Sequence, residues 1–97
     1  MSLEYAPPYI EQHARNLVTD LIRMLPGDGR YGPSVQRQAV GYLHVGDYGN
    51  ARLVLGLEAH RGEAGDVLGA ALCDLRVAKY ATAIKRIMDY RLAMEAK

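Results

Sequence analysis

Tryptophan and phenylalanine are absent from this 97-residue chain, and cysteine occurs only once, at Cys73. A single cysteine cannot form an internal disulfide, which excludes a disulfide-stapled scaffold and makes a reducing, cytoplasmic setting the expectation. Seven tyrosines supply all of the aromatic side chains. Because the tyrosine hydroxyl needs a partner or water, we expect some of these rings at the edge of the core or in a contact surface.

The chain also lacks an excess of charge of either sign. Its formal net charge is +1, which provides no strong field to attract nucleic acid or anionic lipid. No apolar run approaches the roughly 18 residues of a membrane span, and residues 1–8 lack the pattern of a signal peptide. With 49% hydrophobic residues, the chain is predicted to form one soluble domain over residues 1–97 with a thin core.

Apolar residues recur at helical spacing through most of the chain. This periodicity predicts an N-terminal helix over 9–25 and a first helical hairpin over 33–61. The second helix of that hairpin is expected to run through Gly56 and to end at Gly62. A second hairpin, or one long helix, is predicted over 66–95.

The last of these segments carries two apolar faces. Leu68 and Leu75 share one face, whereas Tyr80 and Ile84 share another that is rotated by roughly 150°. A break near residues 78–79 allows both faces to reach one core, so two helices are favoured over one. The predicted fold is therefore all-α, with about five helices.

The chain resembles itself when it is shifted by 32 residues, from Ala39 to Ala71. The alanines of this repeat are expected to allow close helix approach, and its tyrosines to fill the gap at the turn. The repeat positions are Ala39, Tyr48 and Ala51 in the first copy, and Ala71, Tyr80 and Ala83 in the second. The order of small, aromatic, glycine and large apolar residues resembles a tetratricopeptide repeat. A plain helical bundle rich in Ala and Leu is the alternative.

A wider set of motifs between Leu17 and Ile87 resembles the small tetratricopeptide chaperones of the YscG type, which guard needle subunits of type III secretion systems. The motifs are Gly27-Asp28-Gly29, Tyr42-Leu43, Ala51-Arg52-Leu53-Val54, Ala71-Leu72-Cys73-Asp74-x-Arg76 and Ala83-Ile84. The resemblance implies a non-catalytic cytoplasmic protein that holds an amphipathic partner helix in an apolar groove, buttressed by a second small chaperone.

The first helix of each hairpin lines the groove in tetratricopeptide-like proteins. By repeat position, the residues implied here are Gln36, Val40, Leu43, His44, Leu68, Leu72, Leu75 and Arg76. If the leucines line such a groove, the free protein must expose them in part. If they belong to an ordinary core instead, they are buried.

Three further features have weak functional interpretations. Residues 27–32 spell G-x-G-x-x-G, but a helix precedes them where a dinucleotide site needs a strand, so an interhelical loop is predicted. His13, His44 and His60 lack the spacing of metal ligands. Cys73 is expected to be a small buried hydrophobe rather than a nucleophile. We therefore expect no metal, no cofactor and no enzymatic activity.

Two other functions remain open. The C-terminal helix is basic, through Arg76, Lys79, Lys85, Arg86 and Arg91, which suits a small nucleic-acid-binding regulatory protein. Those residues are not interleaved with a stacking platform, so a solvated helix face is the better interpretation. The other possibility is a structural helical protein that self-associates through its C-terminal helix, as a homo-oligomer.

Overall fold

The computed structural model describes residues 8–25, 33–56 and 63–96, and the regular structure within those ranges is entirely helical. The helices are α1 (Pro8–Arg23), α2 (Pro33–His44), α3 (Tyr48–Val54), α4 (Glu63–Arg76) and α5 (Tyr80–Glu95). The prediction of an all-α fold with about five helices is confirmed, and α4 and α5 are separate helices. None of the described helices has the length and apolar character needed to cross a membrane.

The turn between α2 and α3 is a compact helix stop. The N–H of Asp47 donates to the carbonyl of Tyr42 at 2.8 Å, and the N–H of Gly46 donates to the carbonyl of Leu43 at 3.1 Å. These two bonds define a Schellman motif, which satisfies carbonyls at a helix C-terminus. The motif requires a left-handed residue, and Gly46 supplies it at φ +81°.

The turn between α4 and α5 has the same hydrogen bonds, 32 residues further along the chain. The N–H of Lys79 donates to the carbonyl of Asp74 at 2.8 Å, and the N–H of Ala78 donates to that of Leu75 at 3.0 Å. Ala78 occupies the left-handed position at φ +62°, as the sole non-glycine residue with positive φ in the described ranges. The internal repeat is therefore present in the backbone as well as in the sequence.

The core is one apolar cluster to which every helix contributes. Helix α1 provides five buried apolar side chains from its inner face, and Leu25 just after it provides a sixth. The repeat provides buried alanines at matching positions in the two hairpins. The alanines are Ala39, Ala51, Ala71 and Ala83, each fully buried. Tyr48 is buried as well, and its repeat partner Tyr80 is half-buried. These small residues allow the paired helices to approach closely.

The helices pack as a ring. Helix α3 packs between α2 and α4, α5 packs on α4, and α1 contacts α2, α4 and α5. The N-terminal helix thus lies against both hairpins, and it closes the ring between the first hairpin and the second.

Two predicted boundaries are wrong. Helix α3 ends at Val54 and does not continue through Gly56, because Gly56 adopts φ +65° and stops it. Helix α4 begins at Glu63, three residues earlier than expected. The predicted end at Gly62 lies outside the described residues.

Candidate functional site

The four leucines of the predicted groove lie in the core. Leu43, Leu68, Leu72 and Leu75 are each at most 1% exposed, so they do not form the open apolar wall that the resemblance implied. The physical reason is helix α1, whose apolar face packs against both hairpins and belongs to the same cluster as these leucines.

The other four residues of the predicted groove do not share one surface. Gln36 and Val40 are half-buried beside a cavity of about 240 Å³ that also adjoins the end of α1. His44 is exposed, with its Nε2 3.4 Å from the hydroxyl of Thr19 on α1. Arg76 lies at a different place, between α3 and α4. Partner binding by these residues stays a prediction.

A cleft of about 180 Å³ opens between α3 and α4, where the two hairpins meet. It is lined by Tyr48, Gly49, Arg52, Leu53, Leu72, Cys73 and Arg76. Leu53 is 69% exposed, and a Cβ at Gly49 would meet no atom within 4 Å. The cleft therefore combines an exposed apolar side chain with open backbone, and the charged residues in its lining are both arginines.

Cys73 is part of this cleft and is exposed, so the expectation that it is a buried hydrophobe is wrong. It follows the buried Leu72 by one residue, and a single helical step of 100° turns its side chain away from the core. The sequence pattern correctly identified the buried face at Leu72, but Cys73 lies just outside that face.

A polar cluster fixes α1 to the start of α3. The hydroxyl of Tyr48 donates to Glu11 Oε2 at 2.8 Å and accepts from Arg15 Nε at 2.8 Å. Arg15 Nη2 donates to the same Glu11 oxygen at 2.7 Å, and the guanidinium carbon lies 5.6 Å from the centre of the Tyr48 ring. Each side chain thus contacts the other two, which makes the cluster a closed network rather than a site open to a ligand.

The ionisation of the two repeat tyrosines reflects this arrangement. Burial raises the pKa of Tyr48 to about 12, and the hydrogen bond to Glu11 acts in the same direction. Burial also raises the pKa of Tyr80, with further contributions from the charge of Glu11 and a hydrogen bond to it. The carboxylate of Glu11 thus acts in the same direction on the pKa of both repeat tyrosines, and its direct hydrogen bond is to Tyr48. Sequence analysis missed Glu11 and Arg15, although their i, i+4 spacing on α1 was a usable signal.

No metal site is present in the part of the chain that the structure describes, where no three His, Cys, Asp or Glu side chains come together. His60 and the G-x-G-x-x-G segment at residues 27–32 lie outside the described residues, so the interpretation of both stays a prediction.

Comparison of the chain with known protein families, curated proteins and solved structures finds no match to any of the three. The class that the fold defines is an all-α protein with two equivalent helical hairpins and an added N-terminal helix. The resemblance to YscG-type chaperones rests on the motifs quoted from the sequence.

Proposed function

We propose that this chain is a non-catalytic protein-binding module that holds an acidic amphipathic helix of a partner over the α3–α4 cleft. The observation that carries the proposal is an exposed Leu53 in a cleft that the exposed, basic Arg76 also lines. A helix with one apolar stripe and carboxylates beside it complements this surface in both shape and charge.

The size of the cleft supports a side chain as its occupant. Sites for small molecules and cofactors measure about 300–1,000 Å³, whereas this cleft measures about 180 Å³. A single large apolar side chain fits in that space, and the rest of the partner helix lies across the rim. Open backbone at Gly49 allows the partner to approach closely there.

The resemblance to needle-subunit chaperones supplies a partner class for this proposal. A subunit that polymerises through an amphipathic helix needs that helix covered before assembly, and a cytoplasmic chaperone does so by helix-in-groove recognition. The position of the site differs from the groove predicted by repeat position, because the leucines of that groove are core residues.

The nucleic-acid alternative has less support. Arg86 pairs with Asp74 through a 2.9 Å contact, and Lys85 pairs with Asp89 at 2.7 Å. Two of the basic side chains of the C-terminal helix are thus matched by carboxylates of the same chain, which reduces the field available to phosphates.

Fluorescence anisotropy with a labelled synthetic helix tests the proposal. The probe peptide carries Leu at i, i+3 and i+7 and Glu at its polar positions, and a second peptide carries Lys in place of every Glu. We expect the acidic peptide to bind the wild-type chain and the basic peptide to bind at least about tenfold more weakly, a loss of about 1.4 kcal/mol.

Two variants locate the site. Leu53→Asp places a carboxylate in the cleft and is expected to weaken binding of the acidic peptide by at least about tenfold. Val45→Asp is the matched control, because Val45 is also an exposed apolar residue but does not line the cleft. No binding of the acidic peptide, or equal loss in both variants, contradicts the proposal.

A further inference from the structure

Helix α5 is apolar on two sides. The apolar residues of its outer side belong neither to the core nor to the α3–α4 cleft. Ala83 and Ile87 are fully buried on the inner side. Met88 and Leu92 are 42% and 59% exposed on the outer side. Two large apolar side chains one helical turn apart on an exposed helix face form a candidate contact surface.

The outer residues form one stripe with charged ends. Lys85, Met88, Leu92 and Glu95 are spaced by three, four and three residues, which is the spacing of a helix–helix seam. Lys85 and Glu95 are exposed at the two ends, and the apolar pair lies between them. None of these four residues lines the α3–α4 cleft.

This stripe is complementary to itself when two copies run antiparallel. Both pairs, Met88 with Leu92 and Lys85 with Glu95, are centred on residue 90, so a two-fold axis at that point places each residue opposite its pair in the second copy. The apolar residues then cover each other, and each lysine faces a glutamate. A parallel arrangement places lysine beside lysine and glutamate beside glutamate.

We propose that two copies of this chain associate through an antiparallel pairing of their α5 helices along the Lys85–Glu95 stripe. The interface is isologous, so each copy contributes the same four residues and the assembly closes as a dimer. Asp89 flanks the stripe and is neutralised by Lys85 of its own helix at 2.7 Å. A stripe of four residues covers less than about 1,200 Å², so the dimer is weak and reversible.

The residues around the stripe are consistent with a second copy of α5 packing on it. Two nitrogens of the Arg86 guanidinium, Nε and Nη2, donate to the two carboxylate oxygens of Asp74 on α4. Arg86 therefore lies on the flank of α5 that faces α4, away from the stripe. The side chain of Lys85 is 78% exposed, and its ammonium group has three donors, so it is able to keep its contact with Asp89 and also reach a glutamate of a second copy.

Sedimentation equilibrium of the full chain, from about 1 µM to about 1 mM, tests the dimer. The wild-type chain is expected to show a reversible monomer–dimer equilibrium. Leu92→Asp is expected to remain monomeric throughout, because it places two carboxylates in the apolar centre of the interface. Val45→Asp, which changes an exposed apolar residue on α2's C-terminal side, is expected to dimerise like the wild type. A wild type that stays monomeric at the highest concentration overturns the proposal, as does equal dimerisation of both variants.

Charge exchange tests the antiparallel register. Glu95→Lys alone is expected to weaken the dimer about tenfold, because two Lys–Glu pairs per dimer become like-charge pairs. The double variant Lys85→Glu with Glu95→Lys is expected to recover part of the loss, since the opposite charges meet again across the interface while the Lys85–Asp89 pair within each helix is lost. Failure of the double variant to recover overturns the antiparallel register. Circular dichroism of every variant checks that helix content is unchanged, as expected for exposed positions.

Discussion

Replacing Ala78 with glycine is expected to stabilise the protein. Ala78 holds φ +62° in the second turn, and Gly46 holds φ +81° at the equivalent place in the first. The Schellman motif needs this left-handed conformation, and only glycine adopts it without a steric penalty from Cβ. The two turns are thus a matched pair in which one copy has the favoured residue and the other does not.

The magnitude follows from two opposing terms. A left-handed backbone costs an L-residue with a Cβ about 1–2 kcal/mol. Glycine in the unfolded chain has more conformational freedom than alanine, which offsets about 0.4–1 kcal/mol of the gain. Ala78→Gly should therefore raise the free energy of unfolding by about 0.5–1 kcal/mol, and the melting temperature by about 2–8 °C at about 4–8 °C per kcal/mol.

The converse substitution, Gly46→Ala, is the control. A Cβ at Gly46 would lie 3.5 Å from Arg15 Nη2, an ordinary van der Waals distance, so the cost of the substitution comes from the left-handed backbone and not from a clash with a neighbouring residue. We expect a loss of about 1 kcal/mol. Urea and thermal unfolding followed by circular dichroism measure both variants. If Ala78→Gly lowers the stability, or Gly46→Ala leaves it unchanged, then the second turn does not carry the strain inferred from its backbone.

Two further predictions concern buried groups. Leu43→Asp and Leu72→Asp should each unfold the chain, because a buried carboxylate costs several kcal/mol. A variant that keeps its helical circular dichroism spectrum would show that the substituted leucine is not a core residue. The pKa of Tyr48 is raised from 10.0 to about 12, so the folded state holds the hydroxyl proton more tightly than the unfolded state. The protonated hydroxyl therefore contributes its full stabilisation below pH 10, and this stabilisation is lost between pH 10 and about 12. Urea unfolding against pH should show this decline in the wild type and a smaller one in Tyr48→Phe; equal declines would remove Tyr48 as the cause.

The sequence was sufficient for the number and order of the helices. The change of apolar face between Leu75 and Tyr80 predicted the break at residues 78–79, because a straight helix cannot bury two opposite faces in one thin core. The shift of 32 residues predicted buried alanines in both hairpins, and Ala51 and Ala83 are fully buried. Both inferences depend on the spacing of apolar and small residues along the chain, which can be read directly from the sequence.

The predicted groove shows what periodicity does not record. A stripe of leucines identifies the apolar face of a helix, but it does not say which neighbour covers that face. Leu43 and Leu72 are covered within the chain because α1 packs on both hairpins. The hydrogen bond between Glu11 and Tyr48 joins residues that are also far apart in sequence, so no local pattern predicted it. The apolar residues on the outer side of α5 could be told from core residues only once the structure showed which side of the helix is buried.

The position of α1 in the ring has a consequence for how the chain folds during synthesis. Each hairpin joins neighbouring segments, which favours rapid local folding. By contrast, Ile10 of α1 adjoins Tyr80–Thr82 of α5 across a cavity, so the ring closes only after a loop of about 70 residues has formed. At about 5–20 residues per second, the ribosome delivers α5 several seconds after α1. Throughout that interval α1 lacks α5 as a neighbour, so part of its apolar face stays open to aggregation until α5 emerges.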